Sequence, residues 1–213
     1  MKLKVYKYSI SAITGILAVV IFTVLTFVSV LLYPVSYNLL YDWLSNLGNV
    51  NLNPVGAIFF NWACIVSGLI LIPFFVGLYT WKPQKTWSKV LLIVGMIIGI
   101  FASVSLVIVG VFPETHIQPH LIAATDVFRS LFIIIILLSL ALFKNPNFMK
   151  GVAYFGFVPI IIDLYFQYTL SIYQNLLSVF NPTVAVAGLE WAAVFASLAW
   201  VGLLSLNMLI KGV

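Results

Sequence analysis

The stretch Val90–Phe112, VLLIVGMIIGIFASVSLVIVGVF, decides how the rest of the chain is read. It contains no charged residue, and at ~1.5 Å of helical rise per residue it reaches across a hydrocarbon core of ~30 Å. Working outward, comparable apolar runs occur at Ser9–Tyr33 and Val55–Trp81 before it, and at Leu121–Phe143, Val152–Tyr173 and Leu189–Ile210 after it. Each is long enough to span. Breaker-rich connections separate them: "YPVSYN", "WKPQKTWSK", "PETHIQP", "KNPNFMK" and "FNPT". The composition agrees, with 63% hydrophobic and 7% charged residues, where a soluble domain needs roughly a quarter charged residues to cover its surface. The predicted fold class is therefore an all-α membrane protein. Residues 1–213 form one bundle of six transmembrane helices, at about 9–33, 55–81, 90–112, 121–143, 152–173 and 189–210.

The first run follows Lys2, Lys4 and Lys7 as a secretory signal would. It is much longer than the ~7–15 residue core of such signals and lacks a small-x-small cleavage site, so it is read as a retained helix. Of the ten Lys and Arg residues, all but Arg129 cluster on one face. Lys2, Lys4 and Lys7 precede the first helix; Lys82, Lys85 and Lys89 follow the second; Lys144 and Lys150 follow the fourth; Lys211 ends the sixth. Retained basic residues in short loops mark the cytoplasmic side, which puts both termini inside a cytoplasmic membrane. The net charge of +5 is then a topology signal and not a nucleic-acid patch. Tyr33, Tyr37, Tyr41 and Trp43 are expected at the outer headgroup level, and Tyr79, Trp81 and Trp87 at the inner one. Gly95, Gly99 and Ser103, four residues apart, form a small-residue stripe that lets another helix approach, within the chain or from a partner. No internal repeat of the transporter kind relates helices one to three with four to six.

Polar residues within spans are expensive and draw attention. Asp126 and Arg129 in the fourth run, and Asp163 in the fifth, stand at comparable depth, so that Arg129 and Asp163 are level enough to pair. Asp163, Gln167, Ser171 and Gln174 recur at helical spacing and form a polar stripe toward the outer surface. Pro159, one turn before Asp163, is expected to kink the helix and widen any pocket there. A static ion pair is the structural reading of this cluster, a water-filled pocket the functional one.

A second polar group lies in the outer loops: Asp42, Ser45, Asn46 and Asn49 in "YDWLSNLGN", and Glu114, His116 and His120 in "PETHIQPH", with Glu190 near the outer end of helix six. Glu114, His116 and His120 supply one oxygen and two nitrogen ligands for a metal such as zinc, although solvated histidines are the more common outcome. Two histidines four residues apart cannot reach opposite faces of a haem from separate helices. Ser45 with His116 or His120, oriented by Asp42 or Glu114, contains the residue types of a nucleophilic hydrolase. "SNLG" is not a nucleophile elbow, however, and a cap or turn is the simpler reading, with Gly48 supplying an unusual φ. Cys64, the one cysteine, is a small lipid- or core-facing residue in the second run and excludes a disulfide framework.

The loop elements carry a resemblance. Ser45, Asn46, Leu47 and Gly48 match a Ser-x-Leu-Gly element after helix one, and Asn61 and Gly68 match positions in the next helix. Gly110, Val111, Phe112 and Pro113 match a Gly-x-Phe-Pro element ending helix three, and His120 before Ala123 and Ala124 matches a histidine near the start of helix four. In these respects the chain resembles an uncharacterised prokaryotic family of six-helix membrane proteins known as domain of unknown function 998. The resemblance implies topology and no reaction, and Arg129 and Asp163 lie outside its elements.

The leading expectation is a multi-pass membrane protein acting as an accessory subunit or partner of a membrane complex, with the lipid bilayer around it and no cofactor required. One alternative is a hydrolase acting on lipid headgroups at the outer face through Asp42, Ser45, Glu114, His116, His120 and Glu190, with or without metal. A small transporter using Asp126, Arg129, Asp163 and Gln167 is the other.

Overall fold

A computed structural model describes residues 10–176 and 186–211, with side chains at 10–172 and 186–211. Lys2, Lys4, Lys7, the "FNPT" connection and the Gln174 side chain lie outside the described residues. The helices are α1 (Ile10–Leu31), α2 (Ala57–Gly77), α3 (Thr86–Val111), α4 (Ile117–Leu142), α5 (Lys150–Phe155), α6 (Phe157–Leu176) and α7 (Val186–Lys211). Two 3₁₀ turns, Leu44–Gly48 and Leu78–Trp81, complete the described elements. Six helical stretches are long and apolar enough to cross a membrane, with α5 and α6 together forming the fifth.

Local chemistry moves two boundaries from where hydropathy puts them. Helix α4 begins at Ile117, which places Pro119 in the first turn, where its missing N–H has no intrahelical partner to lose. The fifth span is interrupted at Gly156, three residues before Pro159. Pro159 cannot donate to the Phe155 carbonyl, so α5 stops there and α6 restarts with the proline in its own first turn. Gly156 is wedged between neighbours: a β-carbon would lie 2.8 Å from Ile135 Cγ2 of α4 and 3.2 Å from Trp200 Nε1 of α7. That indole instead donates to the Val152 carbonyl at 3.2 Å and ties α7 to α5.

The spans pack in chain order around a ring: α1 on α2, α2 on α3, α3 on α4, then α6 on α7 and α7 back on α1. The seam between α4 and α6 is sparse by comparison, with the Phe128–Phe166 ring contact at 4.9 Å as its main aromatic link. At the end carrying Lys82, Lys85, Lys89, Lys144, Lys150 and Lys211, here the lysine end, the ring is filled by Phe74, Leu138, Leu142, Trp200, Leu204 and Met208, all fully buried. Trp81 belongs to this core, 2% exposed and edge-on to Phe148 at 6.0 Å.

The small-residue stripe of α3 is used within the chain. Gly95 faces Leu138 of α4, Gly99 faces the Phe75 ring of α2, and the Ser103 hydroxyl turns onto its own helix at the Gly99 carbonyl, 2.7 Å away. A β-carbon at either glycine would enter its neighbour, so this stripe has no surface left for another subunit.

Candidate functional site

At the end opposite the lysines, the connection between α1 and α2 dips into the ring and covers it. Leu44 and Leu47 are 4% and 0% exposed, so the turn Leu44–Gly48 is a plug. Burying a turn strands backbone groups at both its ends, and each must find a partner. Glu190 of α7 supplies the first: its Oε2 accepts the Leu44 N–H at 2.7 Å, and the Ser45 N–H faces the same carboxylate. At the far end, Asn53 Nδ2 donates to the Leu47 carbonyl at 3.1 Å and Asn61 Nδ2 to the Gly48 carbonyl at 3.2 Å. Asn53, fully buried, also donates to Ser29 Oγ of α1 at 2.9 Å and accepts the Gly56 N–H at 3.0 Å.

Gly48 is required for space and not for φ. Its backbone is not left-handed, but a β-carbon there would enter the Asn61 amide and touch Phe60 at 3.0 Å. Tyr37 clamps the plug from outside, donating its hydroxyl to the Trp43 carbonyl at 2.6 Å, while Trp191 Nε1 donates to the Asp42 carbonyl at 3.2 Å. Burial, reinforced by Glu190 and Asp42, pushes the Tyr37 phenol well above its ordinary pKa, so it stays a donor. The Asp42 carboxylate itself holds the Asn38 N–H at 2.7 Å.

The second loop is tied to the first. Asn49 Nδ2 donates to Glu114 Oε2 at 3.2 Å. His120, 4% exposed, places Nδ1 3.0 Å from the Phe112 carbonyl. A carbonyl only accepts, so Nδ1 carries a proton, and in the neutral tautomer Nε2 is an acceptor. His116 is exposed just before α4, with Nδ1 3.2 Å from Thr115 Oγ1. The resemblance elements therefore meet in space: Gly48 packs on Asn61, Gly110 on the Asn61 carbonyl, and His120 bonds Phe112.

Beneath the plug lies a cavity with about 860 Å³ of empty space, open solvent at its mouth included, of which about 100 Å³ can take the centre of a water molecule. Ser45, His120 and Glu190 stand at its plugged end, and Leu71, Phe75 and Val201 mark its depth. Between them the walls are apolar except for Ser103 and Ser197, and among the described residues no Lys or Arg lines the cavity. Along α4 the lining runs from His120 to Leu131, about 16 Å at 1.5 Å per residue, or roughly half of a ~30 Å hydrocarbon core. No described side chain of α6 lines the cavity, and α6 packs only sparsely on α4.

The structure brings Ser45, His120 and Glu190 to one cavity but keeps Asp42, Glu114 and His116 outside it. Glu190 and Glu114 hold the plug and the loop, roles that residue type alone does not distinguish from catalysis. Glu114, His116 and His120 do not converge: among the described residues no three His, Cys, Asp or Glu side chains are grouped to hold a metal ion. No hydrogen bond joins Ser45 Oγ to His120. Arg129 does not pair with Asp163 or Asp126, and is exposed on α4, while Asp163 is buried at 2% and accepts from Gln167 Nε2 at 2.9 Å. Cys64, Phe22 and the network of Ser29, Asn53 and Asn61 were not foreseen as site residues. The run Asn49–Asn51–Asn53 before an apolar helix was the available signal for the network.

Neither a curated protein nor a solved structure matches the chain. Among protein families, the one described as "Protein of unknown function (DUF998)" matches residues 16–207, which reaches from within the first span to within the sixth and includes both loop elements. With nearly the whole chain matched and six membrane-spanning helices present, the protein belongs to the DUF998 family of membrane proteins.

Proposed function

We propose that the protein binds the chain of a neutral lipid in its central cavity, with the lipid's uncharged polar head against Ser45 and His120. The carrying observation is the cavity itself: a largely apolar slot about one leaflet deep, with Ser45, His120 and Glu190 at one end and the serines Ser103 and Ser197 deeper in its walls. The Ser45 hydroxyl and His120 Nε2 offer a donor and an acceptor there, suited to a hydroxyl or ester head. Among the described residues the lining has no cation to meet a phosphate, so an anionic head would be buried without a charged partner. If the lysine end faces the cytoplasm, as the charge distribution implies, the lipid is drawn from the outer leaflet of the cell membrane. Binding is favoured over hydrolysis because the His120 partner is a carbonyl and not a carboxylate, and Ser45 Oγ has no bond to the imidazole. It also ranks above an accessory-subunit or carrier role, since neither of those rests on a described feature of the site.

Native mass spectrometry of the detergent-purified chain, offered a monoacylglycerol or a phosphatidic acid of equal chain length, tests this. The proposal expects a one-to-one adduct with the monoacylglycerol, lost in Ala124→Trp, which fills the slot. Equal retention of the phosphatidic acid, or an adduct that survives Ala124→Trp, overturns it.

A further inference from the structure

Helix α4 presents a stripe of Leu121, Ile122, Thr125, Arg129, Ile136 and Leu140 away from the rest of the bundle, all exposed. In a membrane this stripe faces lipid, and Arg129 stands in its middle. It lies twelve residues beyond Ile117 in a 26-residue helix, about 18 Å from either end. A long side chain cannot carry its charge from there to either headgroup layer without distorting the bilayer, and an unpaired guanidinium at that depth is expensive. Among the described residues it has no hydrogen-bond or ion-pair partner. Asp126, three residues earlier and turned about 60° around the helix at 100° per residue, is half-buried and has none either.

These two unsatisfied charges have opposite sign and share one helix face, which is the arrangement a two-fold interface requires. In an isologous dimer residue i meets residue j, and j meets i. We infer that two copies of this chain associate through α4, each Arg129 pairing with Asp126 of the other copy. The levels agree, since parallel α4 helices related by an axis along the membrane normal offset the two residues by about 4.5 Å. Helical side chains lean toward the helix N-terminus, so Arg129 inclines toward the level of Asp126. Two buried reciprocal pairs then replace four lone charges in lipid. This interface lies on the side of α4 turned away from the cavity and is independent of what the cavity binds.

Two differently tagged copies of the full chain, co-expressed and purified in mild detergent, test the inference by co-isolation. The natural pair should co-purify, and Asp126→Asn or Arg129→Gln in both copies should each weaken recovery about tenfold, a typical worth of one intramembrane polar contact. One copy carrying Asp126→Asn with the other carrying Arg129→Gln retains a single cross-pair and should recover association. A pair formed within one helix predicts no such rescue, so failure of the mixed pair overturns the proposal, as does co-isolation unaffected by either single change or a natural chain that is monomeric. Should the charge variants fold poorly, Thr125→Cys provides a second readout. Oxidative cross-linking there supports the interface, whereas no cross-link, or one no faster than at Ile13→Cys on the exposed face of α1, overturns it.

Discussion

The two halves of the bundle are built differently. Toward the lysine end the ring is filled by large side chains, with Leu138, Trp200, Leu204 and Met208 at 1% exposure or less. Toward the other end the same helices enclose a cavity and are closed by a five-residue turn held in place through side-chain amides and a carboxylate. The filled half gives the fold its packing, and the hollow half is where the proposed ligand would sit. The comparison also sorts the polar residues. Those around the plug have backbone partners and are architecture, whereas Ser45 and His120 have capacity to spare toward the cavity.

Leu138→Ala should produce the largest loss that tests this contrast, about 3 kcal/mol in thermal unfolding, because a packed neighbourhood cannot collapse onto the missing atoms. Val127→Ala, in the cavity wall, already borders a void and should cost less than about 1 kcal/mol. Equal losses at both positions would mean that the cavity closes in solution. Next comes Asn53→Ala. It unties the Leu47 carbonyl, Ser29 and the Gly56 N–H together, and should cost about 2–3 kcal/mol through buried groups left unsatisfied. Hydrogen exchange should rise across 44–56 and not in the lysine-end core.

Gly48→Ala should be milder, about 1–2 kcal/mol as Asn61 and Phe60 give way. If its cost vanishes in an Asn61→Ala background, the close approach is the cause. The smallest effect is expected at Asp163→Asn, within about 1 kcal/mol, since the amide oxygen still accepts from Gln167 and no ion pair is lost. A loss several times larger would show that Asp163 works as a charge.

The spans and their number were readable from hydropathy, because a lipid-facing helix advertises itself along every turn. Boundaries were less so: the fourth apolar run starts at Leu121 although α4 begins at Ile117, and the fifth run is interrupted at Gly156. Of the site, His120, Ser45 and Glu190 were identified by residue type. Their grouping was not, since they come from three separate segments. The expected Arg129–Asp163 pair failed for a rotational reason. Equal depth is computed from residue number, but whether two side chains face each other depends on how each helix is turned, and α4 is turned to present Arg129 outward.

What the sequence determined by itself is that this chain lives in a membrane as six helices, because the cost of apolar surface in water and of bare backbone in lipid acts locally on every residue. Only the tertiary structure decided that Ser45–Gly48 is a plug, that Glu114 and Glu190 hold backbone and loop, and that Arg129 and Asp126 are left facing outward. Those outcomes depend on partners distant in the chain, up to the 146 residues that separate Leu44 from Glu190. No local pattern records where a folded chain will bring such groups together.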